Sequence, residues 1–312
     1  MHPVERAEPP RPSAHIGKHP PALVEALQTR RLLVRAGHAN TLARLEASGA
    51  AVWVGAVCVD LVIAVACVGL ILEGPLWLAP FWLVALGNRQ RALANLLHEA
   101  VHRIHPISER ITRALLAPLL GIDLDAYRLT HGAHHRWTCQ RSRDPEGHIG
   151  TARAGHAMRA WVIELGRPNS SLVPDRAAFA RLLGIGVPLS LAGWSLGGGS
   201  VGLLGVLLWL IAGLTSFRAI TALRNLCDHP GAPAPSLFDS TATTSVRGIL
   251  GPIIHPHANG YHLDHHLLPS VPFHRLAAAH RLLSETRDYR RAGRPRSYFR
   301  GPDAIAHAWS EH

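Results

Sequence analysis

Cysteine is scarce in this 312-residue chain, which holds only Cys58, Cys67, Cys139 and Cys227. None forms a C-x-x-C pair and two lie inside one apolar run, so the pattern speaks against a disulfide framework and fits a reducing cytoplasm. A signal-peptide pattern is also missing from the N-terminus, where residues 1–21 are proline-rich and charged, the composition of a disordered segment. No internal repeat is visible beyond a likeness between two histidine clusters. No nucleic-acid-binding motif accompanies the formal net charge of +11. That charge reads instead as arginine flanking apolar spans at an anionic leaflet, and nucleic acid is not an expected partner.

Long apolar runs are present. Residues 50–72 are almost unbroken, and about 20 such residues cross a bilayer core as a helix. A second run, 76–87, follows after Glu73-Gly74-Pro75. A third covers 182–196 and a fourth 201–217, joined by Gly197-Gly198-Gly199-Ser200. These runs predict an all-α integral membrane protein with about four transmembrane helices in two hairpins. The second and third runs are short, so their helices must extend into flanking residues. Neither hairpin turn carries Lys or Arg, whereas the first 50 residues, segment 88–181 and the chain after Arg218 are arginine-rich. The positive-inside rule then places both termini and the central segment on the cytoplasmic side, in a bacterial-type plasma membrane.

Nine histidines carry the chemistry. Three clusters read His98-Glu-Ala-Val-His102, His131-Gly-Ala-His134-His135 and His262-Leu-Asp-His265-His266, with His229 between the last two. Helical positions i, i+3 and i+4 share a face, so each cluster can aim its imidazoles at one point. Neutral imidazole is the commonest protein metal ligand. One tetrahedral zinc needs four ligands, so nine convergent histidines are too many for one ion and suit two. The first cluster ends a polar stripe of Asn88, Arg91, Asn95, His98 and His102, which predicts a helix leaving the membrane toward an interior site. All three clusters fall in the arginine-rich segments, hence on one membrane face.

His98-Glu-Ala-Val-His102 also fits H-E-x-x-H, the zinc-protease helix, with Glu99 as general base. A membrane metalloprotease is therefore an alternative from another class, although it leaves most of the clustered histidines unexplained. A catalytically silent metal-binding scaffold is a third reading. Asp144, Asp228 and Asp264 are candidates to accept N–H bonds from ligand rings, or to pair with arginines.

The order of the three clusters, together with the phrase running from Gly260 to Pro272, resembles the membrane fatty acid desaturase family from about residue 50 to 285. The resemblance implies a mushroom-like fold: four membrane helices beneath a cytosolic helical cap that holds two irons. It also implies a ninth histidine before the third cluster, the place His229 occupies, and gives Asn225 as a residue that reaches the metal through water. His229-Pro-Gly231 followed by Ala232 only echoes the haem motif of a fused cytochrome b5 domain, so a separate electron carrier is expected, of ferredoxin or cytochrome b5 type. His262 at the head of the third cluster, rather than Gln, argues against the front-end desaturases.

The expected organisation is an N-terminal tail (1–45, disordered or amphipathic), a desaturase-like membrane domain (46–285) and a basic C-terminal tail (286–312). The expected activity is O2-dependent introduction of a double bond into a fatty acyl or similar lipid chain, with hydroxylation or ketolation as alternatives sharing the same clusters. Trp82, Trp137, Trp194 and Trp209 are candidates for a substrate tunnel or for interface anchoring. Arg128, Arg136, Arg141 and Arg143 surround the second cluster, where an acidic carrier or anionic lipid would meet them.

Overall fold

The computed structural model describes residues 20–47, 49–102, 105–138, 140, 142–147, 154–167, 201–230, 234–244 and 248–310. The run 182–196, its Gly197–Ser200 turn, Trp194, Cys139, Arg141 and the first 19 residues lie outside them. Every extended regular element among the described residues is helical. The chain enters through α1 (Pro21–Leu33) and α2 (Ala39–Glu46), whose Leu33, Leu42 and Leu45 are buried. They pack into one core with Leu263, Leu267 and Leu283 from the far end of the sequence.

Helix α3 (Ala50–Glu73) shows why a uniformly apolar run folds as it does here. Trp53, Val57, Asp60, Ala64 and Cys67 are buried at alternating steps of four and three, a single seam. The other faces, including Val59, Val62 and Val65, are just as apolar yet exposed. A helix apolar all round, buried along one seam only, is suited to lipid. Gly74, Pro75 and one 3-10 turn (Leu76–Leu78) return the chain into α4 (Ala79–Val101), which packs along α3.

Helix α4 is continuous and changes character along its length. Its start exposes Phe81 and Val84, whereas nearly every residue from Leu86 to Val101 is buried. The polar stripe is used for tethering. Asn88 donates to the carbonyls of Ile253 (2.7 Å) and Pro252 (3.1 Å), and Asn95 donates to that of Pro256 (2.8 Å). Trp53 donates to the Leu96 carbonyl at 3.1 Å, fixing the α3 seam against the same helix.

Helix α5 (Leu124–Trp137) begins where Asp123 accepts the N–H groups of Asp125 and Ala126 at 2.9 and 3.0 Å, a side-chain N-cap. After α6 (Ala157–Gly166) come α7 (Val201–Leu214) and α8 (Ser216–Asp228), separated only by Thr215. Among the described residues, two stretches are long and apolar enough to cross a membrane, Ala50–Glu73 and Gly202–Asp228. Gly87 admits α8: a Cβ there would lie 2.2 Å from Ser216 Oγ and 2.6 Å from the Phe217 nitrogen. Two short helices complete the cap, α9 (His262–Leu267) and α10 (Leu276–Leu283).

Residues beyond 285 pack into these same cores. Tyr289 joins the core around α9 and α10, and Tyr298 and Trp309 are buried with Leu226, Cys227 and Ile254.

Candidate metal centre

The three histidine clusters lie at the end of α4, where His102 is the C-cap, on α5 and on α9, and His229 immediately follows α8. Their ligating atoms collect into two groups. His98, His102, His131, His135 and His265 form one, and His134, His229, His262 and His266 form the other, with the ring nitrogens of each group within 4.8 Å of one another. In the first, His131 Nε2 lies 2.7 Å from that of His98, 3.1 Å from His102 and 2.9 Å from His135, and His135 lies 3.2 Å from His265. In the second, His262 Nε2 is 2.9 Å from that of His229 and 3.2 Å from that of His266. The groups adjoin, since the rings of His135 and His266 stack at 4.3 Å.

The two H-x-x-H-H clusters exchange one member each. His131 and His135 stay together while His134 joins the other group, and His262 and His266 stay together while His265 crosses the opposite way. Helix geometry causes this: i and i+4 point about 40° apart around the axis, whereas i+3 and i+4 are about 100° apart. Each helix therefore serves both groups, which lock α5 and α9 to each other.

Burial favours the neutral ring. Desolvation first, then repulsion among neighbouring rings, holds His131, His135, His262, His265 and His266 well below the ordinary histidine value. Desolvation and His134 pull His229 down to about 3. Neutral imidazole keeps a lone pair for a metal, and two adjoining sets of five and four nitrogens are a donor set for two transition-metal ions with an affinity for imidazole, iron included. Ligands at right angles around an ion with bonds of about 2.1 Å stand about 3.0 Å apart, in line with the spacing of these nitrogens.

Carboxylates hold the rings from behind. His134 Nδ1 donates to both oxygens of Asp144 at 3.0 Å, which leaves Nε2 for a metal. Burial opposes charge on His134, but Asp144, Glu146 and that hydrogen bond together raise its pKa above the ordinary value. Burial also works against the Asp144 carboxylate, yet His134 outweighs it and keeps the Asp144 pKa low. Asp228 pairs with Arg224, accepts from His255 Nε2 at 3.2 Å and lies 3.6 Å from His262 Nδ1. Tyr298 backs His255 at 2.7 Å, a contact that nothing local in the sequence signals.

Asp264 is used differently. It accepts from Thr243, from Tyr289 at 2.7 Å and from His280 at 3.3 Å, so it ties α9 to its neighbours rather than to a clustered ring. Gly260 permits this seat, because a Cβ there would meet the Thr244 carbonyl oxygen at 2.4 Å. Glu99 accepts the backbone N–H of Phe273 at 2.6 Å. It thereby anchors the chain entering α10, and its two histidine neighbours join three more histidines, an arrangement foreign to a protease zinc. Arg128 pairs with Glu109 at 3.1 Å, Arg136 donates to the Gly132 carbonyl and Arg143 stacks over Trp137. Trp209 donates to the Leu119 carbonyl at 2.9 Å and packs against α3 and α4 residues. A small, partly open cavity adjoins both histidine groups, with Asn225, Arg91 and Arg224 among its walls.

An all-helical protein with apolar helices leading to two adjoining, buried, all-histidine donor groups is the architecture of a dinuclear membrane oxidase. The chain belongs to the fatty acid desaturase family, whose profile matches residues 74–298. It is similar to dihydrorhizobitoxine desaturase of Bradyrhizobium elkanii, at 23% identity over 255 residues, covering 68% of this chain and 70% of that protein.

Proposed function

We propose that this chain is a membrane di-iron oxidase that uses O2 to introduce a double bond into an alkyl chain. The observation carrying the reading is the pair of buried groups with five and four histidine nitrogens, within a chain of the desaturase family. The iron ligands of this reading are His98, His102, His131, His135 and His265 in one group, with His134, His229, His262 and His266 in the other. When bound, the irons supply the oxidising power that takes hydrogen from an unactivated C–H.

The chain's own residues do the rest. The histidines hold their lone pairs free, Asp144 fixes the His134 tautomer, and Asp228, held by Arg224 and His255, places its carboxylate 3.6 Å from His262 Nδ1. Asn225, in the cavity wall beside His229, is placed to order a water at the second group, and Asp264 steadies α9. The stoichiometry is fixed: a CH2–CH2 unit, O2, two electrons and two protons give CH=CH and two waters. A separate carrier of ferredoxin or cytochrome b5 type supplies the electrons.

The proposed topology has four spans, with α3 and the lower half of α4 as one hairpin and 182–196 with α7 as the other. The exposed apolar faces of α3 and the arginine-free turns support it. It places the histidines and both termini on the cytoplasmic face of the membrane, with the membrane domain at 46–285 and the flanking segments packed onto its cores.

Alanine substitution tests the reading. His135→Ala, His229→Ala and His266→Ala should each abolish product formation and lower iron content in the purified protein. Full oxidation by His135→Ala and His266→Ala alike would overturn it. An alcohol as sole product would keep the iron pair and replace desaturation by hydroxylation.

A further inference from the structure

The cavity beside the histidines has an unexpected wall. Five of the clustered histidines line it, and so does Arg91, which stands on α4 two helical turns before His98. The Arg91 side chain is only 6% exposed. Its Nε and Nη2 donate to Asn95 Oδ1, and its guanidinium carbon lies 5.9 Å from the centre of the Phe217 ring. Neither contact supplies negative charge. The arginines nearby are different, because Arg89 is paired with Asp60 at 2.7 Å and Arg224 is paired with Asp228. Among the described residues no carboxylate lies within ion-pair reach of Arg91. Asp228 and Glu146 act on Arg91 only from beyond ion-pair reach, so its buried guanidinium lacks a directly paired carboxylate, which is unfavourable and which an anion brought by a ligand relieves.

We propose that Arg91 receives the carboxylate of a small substrate and holds its alkyl part against the histidine groups. The inference rests on the oxidase reading and names its substrate class. The unpaired charge is single, which matches a monoanionic carboxylate better than a phosphate dianion, and Glu146 in the same wall opposes a second negative charge. Two helical turns place Arg91 about 10 Å from His98 along the axis. The oxidised carbon therefore lies a handful of bonds from the carboxylate, which points to a short-chain acid rather than a long acyl chain with a distant head group. Leu97 and Ile122 supply apolar surface beside the polar anchor.

Calorimetry on the iron-loaded full chain in nanodiscs tests this with three probes: hexanoate, methyl hexanoate and hexyl phosphate. Hexanoate should bind at least about tenfold more tightly than the ester or the phosphate, the scale of a charge-assisted hydrogen bond. Arg91→Gln should remove that preference, and Arg91→Lys should keep part of it. Equal binding of acid and ester by the unaltered chain overturns the proposal, as does tighter binding of the phosphate. Because that comparison needs no variant, a poorly folding Arg91→Gln does not obscure it. Iron content of the same samples separates the two readings: two irons without acid preference sinks only the substrate class, whereas absence of iron binding sinks the oxidase.

Discussion

His257 donates from Nε2 to the Asp60 carboxylate at 2.6 Å, joining two residues 197 positions apart. Asp60 sits midway along α3, 1% exposed, and also binds Arg89 of α4 at 2.7 Å. This pair fastens the apolar hairpin to the loop that leads into α9. Removing one partner of a buried ion pair costs about 3–5 kcal/mol. Asp60→Asn should accordingly lower the melting temperature in nanodiscs by several degrees or more, and an unchanged melt would show that the network contributes nothing.

Asp144→Asn should weaken the second histidine group selectively. The carboxylate holds His134 through Nδ1, and losing such a partner typically reduces metal affinity about 10–100-fold. Iron titrations should then show one tight site and one weakened site per chain. Two weakened sites, or none, would contradict the assignment of His134 to a separate group.

Glu99→Gln should preserve oxidation, since a glutamine oxygen can still accept the Phe273 N–H. Glu99→Ala leaves that buried donor unpaired, at a cost of about 1–3 kcal/mol. Chemical denaturation should therefore separate Gln from Ala, and product assays should not separate Gln from the unaltered chain. Complete loss of activity in Glu99→Gln would restore a proton-transfer role for this residue.

The metal-free protein should lose stability as pH falls below about 6.5, the ordinary histidine value. The sign follows from the lowered pKa values of His131, His135, His262, His265 and His266, which leave the folded state binding fewer protons than the unfolded one in that range. Each such group contributes up to about 1.4 kcal/mol per pH unit until its folded pKa is reached. Melting curves between pH 7.5 and pH 5 measure this directly, and a flat profile would contradict the neutral, buried state of the rings.

Eight of the nine histidines were legible because helical spacing marks them, His229 through the family resemblance, and the run of α3 through its unbroken apolar length. How they divide was not. That His134 sits with His262 while His265 sits with His131 depends on the packing of α5 against α9, which no local pattern records. Asp264 stands within the third cluster, yet its partner Tyr289 lies beyond the boundary drawn from composition, because arginine density hid a buried aromatic residue. Asp60 did carry a signal, a lone acid inside an apolar run, which in a membrane span marks a partner elsewhere. Arg91 was visible only as a member of a stripe, and that no carboxylate among the described residues lies within ion-pair reach of it is a fact of three dimensions.

The unbroken course of α4 has a mechanical consequence. One rod carries Phe81 and Val84 at its exposed apolar end and His98 near its other end, with no hinge between them. From Gly87 to His98 the helix rises about 16 Å. Under the proposed four-span topology, helix α4 is thus a depth gauge: a thicker or thinner bilayer tilts or shifts the whole rod, and the oxidising site moves with it relative to the lipid surface.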